Sequence, residues 1–250
     1  MEKLIKSLMD RAGAVKNTFS QLFYDDIPIV PIPFFGKISK AKIITVGINP
    51  SARELKNNNW NSVMTAYDIN KKLIGYFEDN PHEWFSVWEE ALNEINYSYK
   101  NGTAAHVDIC PWATKSISTA DKEGNNQLFE KMLIQSLPVF YQLLKQCVNT
   151  DYIVLAGAAT KSKYLNEFLY DNCISDCKLL LKPKRNRPAP YVNKHFMRIG
   201  DKDIKTFSCS VSPSARGNKK EELVYKVKDN SSFFCNDVKG LKDGTTYEKN

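Results

Sequence analysis

The sequence predicts an α/β fold: a three-layer α/β/α domain around a short, mainly parallel sheet. Short runs of β-branched and apolar residues alternate along the chain with longer segments of helical periodicity. Strands that alternate with helices usually pair in parallel, because each helix carries the chain back across the sheet. The chain has 250 residues, of which 42% are hydrophobic and 25% are charged. We therefore expect one domain with a sizeable core over residues 1–250.

The individual elements follow from local patterns. Four apolar runs predict strands, at residues 42–46, 104–110, 152–156 and 206–211. Helical spacing predicts helices at residues 1–20, 61–76, 81–95, 126–147, 160–170 and from 219 onward. Pro138 predicts a kink or break in the long helix, and the aromatic stripe of the helix after Pro81 is expected to lie in the core. The N-terminal helix and the polar tail at 240–250 are expected to be peripheral.

Composition excludes several classes of protein. No run of eighteen apolar residues is present, so no membrane span is expected, and charges interrupt the N-terminal helix too often for a signal peptide. The six cysteines form no CxxC pair, which argues against a zinc ribbon or a thioredoxin-like site. Reduced thiols suit a cytoplasmic chain. The net charge of +7 suits a polyanionic partner.

The first strand ends in the most informative motif, KIITVGINPS at Lys42–Ser51. Gly47 permits a tight turn or a close approach by a ligand, and Pro50 makes the turn rigid. Asn49 is held between them, so its amide can orient a water molecule or the edge of a base. The alternative is an ordinary exit from a strand into a turn, since Asn-Pro is a common turn dipeptide.

Two further motifs also follow predicted strands. The second strand ends in Asp108–Trp112, and the last strand runs into Ser212–Gly217. In parallel sheets ligands bind beyond the carboxyl ends of the strands, so the three motifs are expected at one edge.

Together the three motifs resemble the uracil-DNA glycosylase superfamily, over roughly Lys42 to Lys220. The first is similar to its water-positioning motif, in the version that carries Asn. The second is similar to the strand whose Asn reads the uracil edge. Ser212-Pro213-Ser214 is similar to the loop that contacts the DNA backbone. The resemblance implies a monomeric, monofunctional enzyme that extrudes a base from DNA and hydrolyses its N-glycosidic bond, without cofactor or metal.

Three departures from the family pattern affect the expected chemistry. Ser212 replaces the usual His or Asn, so imidazole stabilisation of the departing base is missing. His106 and His195 are candidates to supply it, although each can instead be a structural histidine. Asn49 cannot act as a general base, since an amide takes no proton at neutral pH. Asp108 stands where the family has Asn.

Asp108 bears most directly on the choice of base. A carboxylate only accepts hydrogen bonds, so it repels uracil O4 but can accept from an exocyclic amine. We expect a non-standard base, a modified cytosine or uracil. Asp108 favours an amine-bearing base, and a modified cytosine such as those of phage DNA fits best. Two alternatives remain open: Asp108 is a structural cap or salt-bridge partner, or it helps to activate the water.

The other expected site residues surround these three motifs. Gly47, Ile48 and Trp60 are expected to line the base, with Trp60 stacking on it and Tyr67 in reserve; Trp60 can equally be a core aromatic. A second set is expected to hold or wedge the DNA: Ser51, Ser212, Ser214, Arg216, Lys184, Arg185 and Arg187. The last three belong to the basic run Lys182–Pro188, which can also be a solvated loop.

Two rival functions differ in class. The chain can be a DNA-binding protein that kept the scaffold and lost the chemistry, since two family positions are changed. An unrelated nucleotide-binding α/β enzyme is disfavoured, because neither GxGxxG nor a P-loop pattern occurs in the sequence.

Overall fold

A computed structural model describes the chain at residues 1–50, 52, 55, 60, 63–79, 81–115, 120, 122–156, 177–179, 192–211 and 219–235. Only the backbone is described at residues 177–179, 193, 195, 219 and 220. The predicted helix at 160–170, the basic run at 182–188, the third motif and the tail at 240–250 lie outside these residues.

The described residues form an α/β structure around a seven-stranded mixed sheet with the order β1-β3-β2-β4-β7-β6-β5. The strands are β1 (Phe34–Phe35), β2 (Ile43–Gly47), β3 (Ala104–Asp108), β4 (Tyr152–Ala156), β5 (Cys177–Leu179), β6 (Val192–Ile199) and β7 (Lys202–Cys209). The four central strands, β3, β2, β4 and β7, pair in parallel. β1, β6 and β5 join antiparallel.

The expectation of a mainly parallel sheet holds only for these central strands. β6 and β7 form a hairpin that turns at Gly200, where φ is +59°, a conformation that favours glycine. β7 begins at Lys202 rather than at Thr206, because pairing with β6 extends it over exposed polar residues that carry no apolar signal. β1, β5 and β6 were not predicted, because β1 is only two residues long after a Pro-rich segment and polar residues interrupt β5 and β6.

Five α-helices have bounds among the described residues: α1 (Glu2–Thr18), α2 (Ala66–Ile74), α3 (Trp84–Asn93), α4 (Asn126–Gln146) and α5 (Lys219–Lys228). Two short 3-10 helices lie at Ser20–Leu22 and Ser231–Phe234. α2 begins at a capping box, in which Thr65 accepts from the Asp68 backbone and the Asp68 side chain accepts from the Thr65 backbone. α4 continues through Pro138, so the predicted break does not occur. The aromatic stripe of α3 lies in or against the core, as predicted.

The sheet brings the first two motifs together. β2 lies between β3 and β4, and its register pairs Thr45 with His106 and Gly47 with Asp108. Backbone pairing continues past the strand ends, where the amide of Cys110 donates to the Ile48 carbonyl at 2.8 Å. Gly47–Pro50 and Asp108–Cys110 therefore leave the sheet side by side at the carboxyl edge of the parallel strands. In the described part of the chain, no helix is long and apolar enough to cross a membrane.

Truncating the centre of β2 tests the core. Ile44 is fully buried on this strand, so Ile44→Ala should lower the free energy of unfolding by about 2–5 kcal/mol through lost burial and a cavity. Val63→Ala is the matched control, since Val63 is 86% exposed and its truncation should change stability by less than about 0.5 kcal/mol. Urea unfolding measures both variants; equal stabilities would contradict the placement of β2.

Candidate functional site

Gly47 allows two side chains of the neighbouring strand to lie against β2. A Cβ atom built on Gly47 would be 2.8 Å from His106 Nε2 and would collide with Asp108 Oδ1. His106 and Asp108 are two residues apart on β3, so both project to the same face of the sheet, where Gly47 leaves space. The sequence predicts a close approach by a ligand at Gly47, but in the described structure the side chains of His106 and Asp108 occupy the space beside it.

Asp108 is buried at this position, with a relative exposure of 2%. Its Oδ1 lies 3.5 Å from His106 Nε2, which is an ion-pair distance. Burial raises the pKa of Asp108, and the nearby His106 opposes that increase. The structure therefore contains the salt-bridge partner that one of the open alternatives required. This contact uses one of the two carboxylate oxygens, so it does not by itself exclude a role in reading a base.

His106 is held from its other side by a buried hydroxyl pair. Thr45 Oγ1 lies 2.7 Å from His106 Nδ1, and the Tyr99 hydroxyl lies 2.5 Å from Thr45 Oγ1. All of these side chains are buried. Four residues on two strands and a loop, which we call the Tyr99–Asp108 chain, thus form a continuous polar path to the site: Tyr99, Thr45, His106 and Asp108.

An aromatic wall packs around the imidazole of His106. The rings of Phe85 and Trp84, both from α3, approach it with centroids 5.2 Å away, and Phe35 from β1 lies at 6.1 Å. Its surroundings are therefore largely apolar apart from Thr45 and Asp108. His106 is 1% exposed, which favours the structural role over direct donation to a departing base.

Asn49 is fixed by two hydrogen bonds from the nitrogen of its amide. Nδ2 donates to the Pro50 carbonyl at 2.9 Å and to Thr114 Oγ1 at 3.1 Å. A carbonyl oxygen only accepts, so the atom facing Pro50 must be the nitrogen. Thr114 in turn donates to the Lys115 carbonyl at 2.8 Å. The half-buried amide thus has a defined orientation, and Oδ1 is the atom that can accept a hydrogen bond from water.

Sequence reasoning missed Thr114 and the Tyr99–Asp108 chain. Thr114 follows the second motif by two residues, and its position next to Asn49 depends on how two loops pair. The spacing of His106 and Asp108 was a usable signal, because residues i and i+2 share one face of a strand. Thr45 could not be added to them without knowing the register of β2 on β3.

The other residues that were expected to line the base are largely buried. Ile48 is 8% exposed and Trp60 is 4% exposed, and both belong to the core. Lys72 Nζ lies 5.2 Å from the centre of the Trp60 ring, over one face of it. This arrangement favours the core alternative for Trp60. Tyr67 on α2 is 59% exposed, which makes it the more accessible aromatic of the two. The stacking role stays a prediction for either residue.

The expected DNA-contacting residues lie outside the described residues: Ser51, Lys184, Arg185, Arg187, Ser212, Ser214 and Arg216. For His195 the backbone alone is described, on β6 opposite Thr206. In the part of the chain that the structure describes, no cluster of three or more His, Cys, Asp or Glu side chains could hold a metal ion.

Comparison with protein-family models found no matching family, and comparison with the curated proteins found no matching relative.

Adding one methyl group at Gly47 tests the geometry of the site. Gly47→Ala should destabilise the protein by about 1–3 kcal/mol, because the new Cβ displaces the Asp108 carboxylate and the His106 ring. Gly13→Ala is the matched control, since Gly13 lies within α1 with nothing near its Cβ position. That change should stabilise the protein by about 0.5–1 kcal/mol, because Ala favours helix. Thermal unfolding measures both; effects of the same sign would contradict the described contact at Gly47.

Proposed function

We propose that the chain is a monofunctional DNA glycosylase with a uracil-DNA glycosylase-like three-layer fold, which hydrolyses the N-glycosidic bond of an amine-bearing base, a modified cytosine, and leaves an abasic site. One observation carries the proposal. A fixed amide, Asn49, and a buried carboxyl group, Asp108, leave adjacent parallel strands at the same edge of the sheet. An amide for water and a carboxyl group for the base edge are the two groups that such a reaction needs close together.

Asn49 orients the attacking water in this proposal. Its Oδ1 accepts a hydrogen bond from the water, while Pro50 and Thr114 keep the amide from turning. The amide takes no proton, so the rate enhancement comes from placing water against a sugar that has oxocarbenium character. The phosphates of the DNA stabilise that cationic sugar. The bond to the base breaks with its electron pair on the base nitrogen, the water oxygen bonds to the sugar carbon, and the proton that the water loses passes to solvent or to the departed base anion.

Asp108 reads the base in this proposal. Its ionised carboxylate accepts from an exocyclic amine through the oxygen that does not face His106, and the same oxygen repels the O4 carbonyl of uracil. The charge is functional only if Asp108 stays ionised in a buried site. His106, 3.5 Å away, supports the ionised form against the effect of burial on the pKa of Asp108.

The remaining predicted residues complete the interface with DNA. Ile48 and an aromatic side chain, Trp60 or Tyr67, contact the extruded base. Ser51, Ser212 and Ser214 contact the backbone, and Arg216 fills the vacated stack. The basic run Lys182–Pro188 adds contacts to phosphate through Lys184, Arg185 and Arg187, and such contacts give affinity without sequence information.

A non-catalytic DNA-binding protein is the second candidate. The observation that favours it is the burial of Asp108 against His106, which is also what a structural ion pair looks like. Both candidates bind DNA, so only the detection of product separates them.

A screen for abasic sites tests the proposed activity. DNA that carries uracil, hypoxanthine or 5-modified cytosines is incubated with the full chain, and abasic sites are cleaved with alkali and counted. We expect cleavage at a modified cytosine, and a loss of at least ~100-fold in Asn49→Ala because the water is no longer oriented. Asn17→Ala is the control, since Asn17 is exposed on α1, and this variant should keep full activity. DNA binding without cleavage of any substrate would favour the second candidate.

Exchanging the carboxylate for an amide tests the role of Asp108. Asp108→Asn should lose activity on modified cytosine by about 10²-fold and gain activity on uracil, because the amide can donate to O4 and accept from N3–H. The asparagine can still accept from His106, so the fold should persist, which an unfolding curve checks. Efficient release of uracil by the unaltered protein, unchanged in Asp108→Ala, would show that Asp108 does not read the base.

A further inference from the structure

The Tyr99–Asp108 chain has an orderly arrangement of donors and acceptors that the proposed function does not use. We infer that His106 is a positioning residue for Asp108 and is itself fixed in one tautomer by Thr45 and Tyr99. The contacts of the Tyr99–Asp108 chain then set which oxygen of Asp108 faces the base and keep the carboxyl group ionised. This inference rests on the proposed function, whose substrate preference it deepens.

The direction of each contact in the chain follows from the groups present. An ionised Asp108 only accepts, so the proton facing Oδ1 must be on His106 Nε2. In a neutral His106, Nδ1 then carries a lone pair and accepts the Thr45 hydroxyl proton across 2.7 Å. The Thr45 oxygen, having donated its only proton, accepts from the Tyr99 hydroxyl. With a neutral His106 this arrangement satisfies all three contacts. A His106 protonated on both ring nitrogens would instead donate to Thr45, which can donate to the Ala105 carbonyl, and ¹⁵N shifts of His106 separate the two arrangements.

The Tyr99 end of the Tyr99–Asp108 chain is anchored by α3. Glu89 accepts from the Tyr99 backbone amide at 2.9 Å and from the Ser98 hydroxyl. The Tyr99 ring stacks on Phe77 with centroids 4.2 Å apart and an interplanar angle of 9°. Because Tyr99 is held both at its backbone and on one face of its ring, the direction of its hydroxyl is fixed. The position of Thr45 and His106 thus depends on a rigid anchor rather than on mobile surface groups.

The described charged and titratable groups around Asp108 leave His106 as its effective partner. Burial raises the pKa of Tyr99 well above its ordinary value, so its hydroxyl stays a donor at neutral pH. Burial likewise raises the pKa of Cys110 to about 12, so this thiol adds no charge beside Asp108. α3 carries two charged residues: Glu90 is exposed, and the oxygens of Glu89 already bind Ser98 and Tyr99. His106 therefore gives Asp108 its main favourable contact against burial.

A purely structural explanation accounts poorly for the chain. Buried polar groups are unfavourable unless each is satisfied, and apolar residues can fill the same space. Thr45 has a strand carbonyl within 3.4 Å, that of Ala105, and needs no histidine for its own hydrogen bond. The Tyr99–Asp108 chain instead ends at Asp108, the last residue of β3.

Removing single hydroxyl groups tests the inference. Thr45→Val keeps the side-chain shape and deprives His106 Nδ1 of its donor, and Tyr99→Phe removes the next hydroxyl along the chain. Thr206→Val is the matched control, because Thr206 is also fully buried in the sheet but donates to the Ile204 carbonyl. ¹³C NMR of the aspartate carboxyl groups gives the titration midpoint of Asp108, and ¹⁵N shifts of His106 show which ring nitrogen carries the proton.

We expect Thr45→Val to raise the titration midpoint of Asp108 by about one pH unit, because support for the ionised form is weakened. The same variant should populate both neutral tautomers of His106. Tyr99→Phe should act in the same direction, and Thr206→Val should leave both signals unchanged. Excision that needs ionised Asp108 is lost as pH falls through this midpoint, so the acid limb of its pH profile should move upward with it.

An Asp108 midpoint and a His106 tautomer that match the control in both variants would overturn the inference. The NMR result does not depend on catalysis. If the unaltered protein excises no base, the proposed function fails, and the two spectra still decide whether Thr45 and Tyr99 position His106.

Discussion

The site depends on the missing side chain at Gly47. A Cβ there would occupy the space that the His106 ring and the Asp108 carboxylate fill, so any other residue would force β3 to present these groups differently. The parallel register pairs Gly47 with Asp108, and Asn49 follows Gly47 by two residues. One glycine thus allows a carboxyl group and an imidazole to lie against β2 just before Asn49.

The cost of burying these polar groups is offset in two ways. Each member of the Tyr99–Asp108 chain has a partner in line with its chemistry, and the aromatic rings of Phe35, Trp84 and Phe85 exclude water from His106. Asn49 is satisfied separately, through Pro50 and Thr114. Asn49 and Asp108 are therefore held by independent supports, and a change in one need not disturb the other.

Local pattern predicted the centre of the fold and the polar ends of its strands. β4 has the predicted bounds, and β2 and β3 differ from prediction by one or two residues, because buried parallel strands are continuous apolar runs. The antiparallel strand pairs were not predicted, because pairing in a hairpin keeps polar residues such as Lys202 in the strand conformation. Gly47, Asn49 and Asp108 were identified as site residues. Thr45, Tyr99 and Thr114 were not, because their contacts join segments 54 to 65 residues apart.

The central claim is that Asp108 reads an extruded, amine-bearing base at the carboxyl edge of β2 and β3. A crystal structure of Asn49→Ala bound to DNA with a single modified cytosine tests it most directly, because the uncleaved base stays in the site. The predicted result is an extruded base whose exocyclic nitrogen lies about 3 Å from Asp108 Oδ2, with Oδ1 still facing His106. A base that remains stacked in the duplex, or that binds with its amine away from Asp108, would contradict the claim.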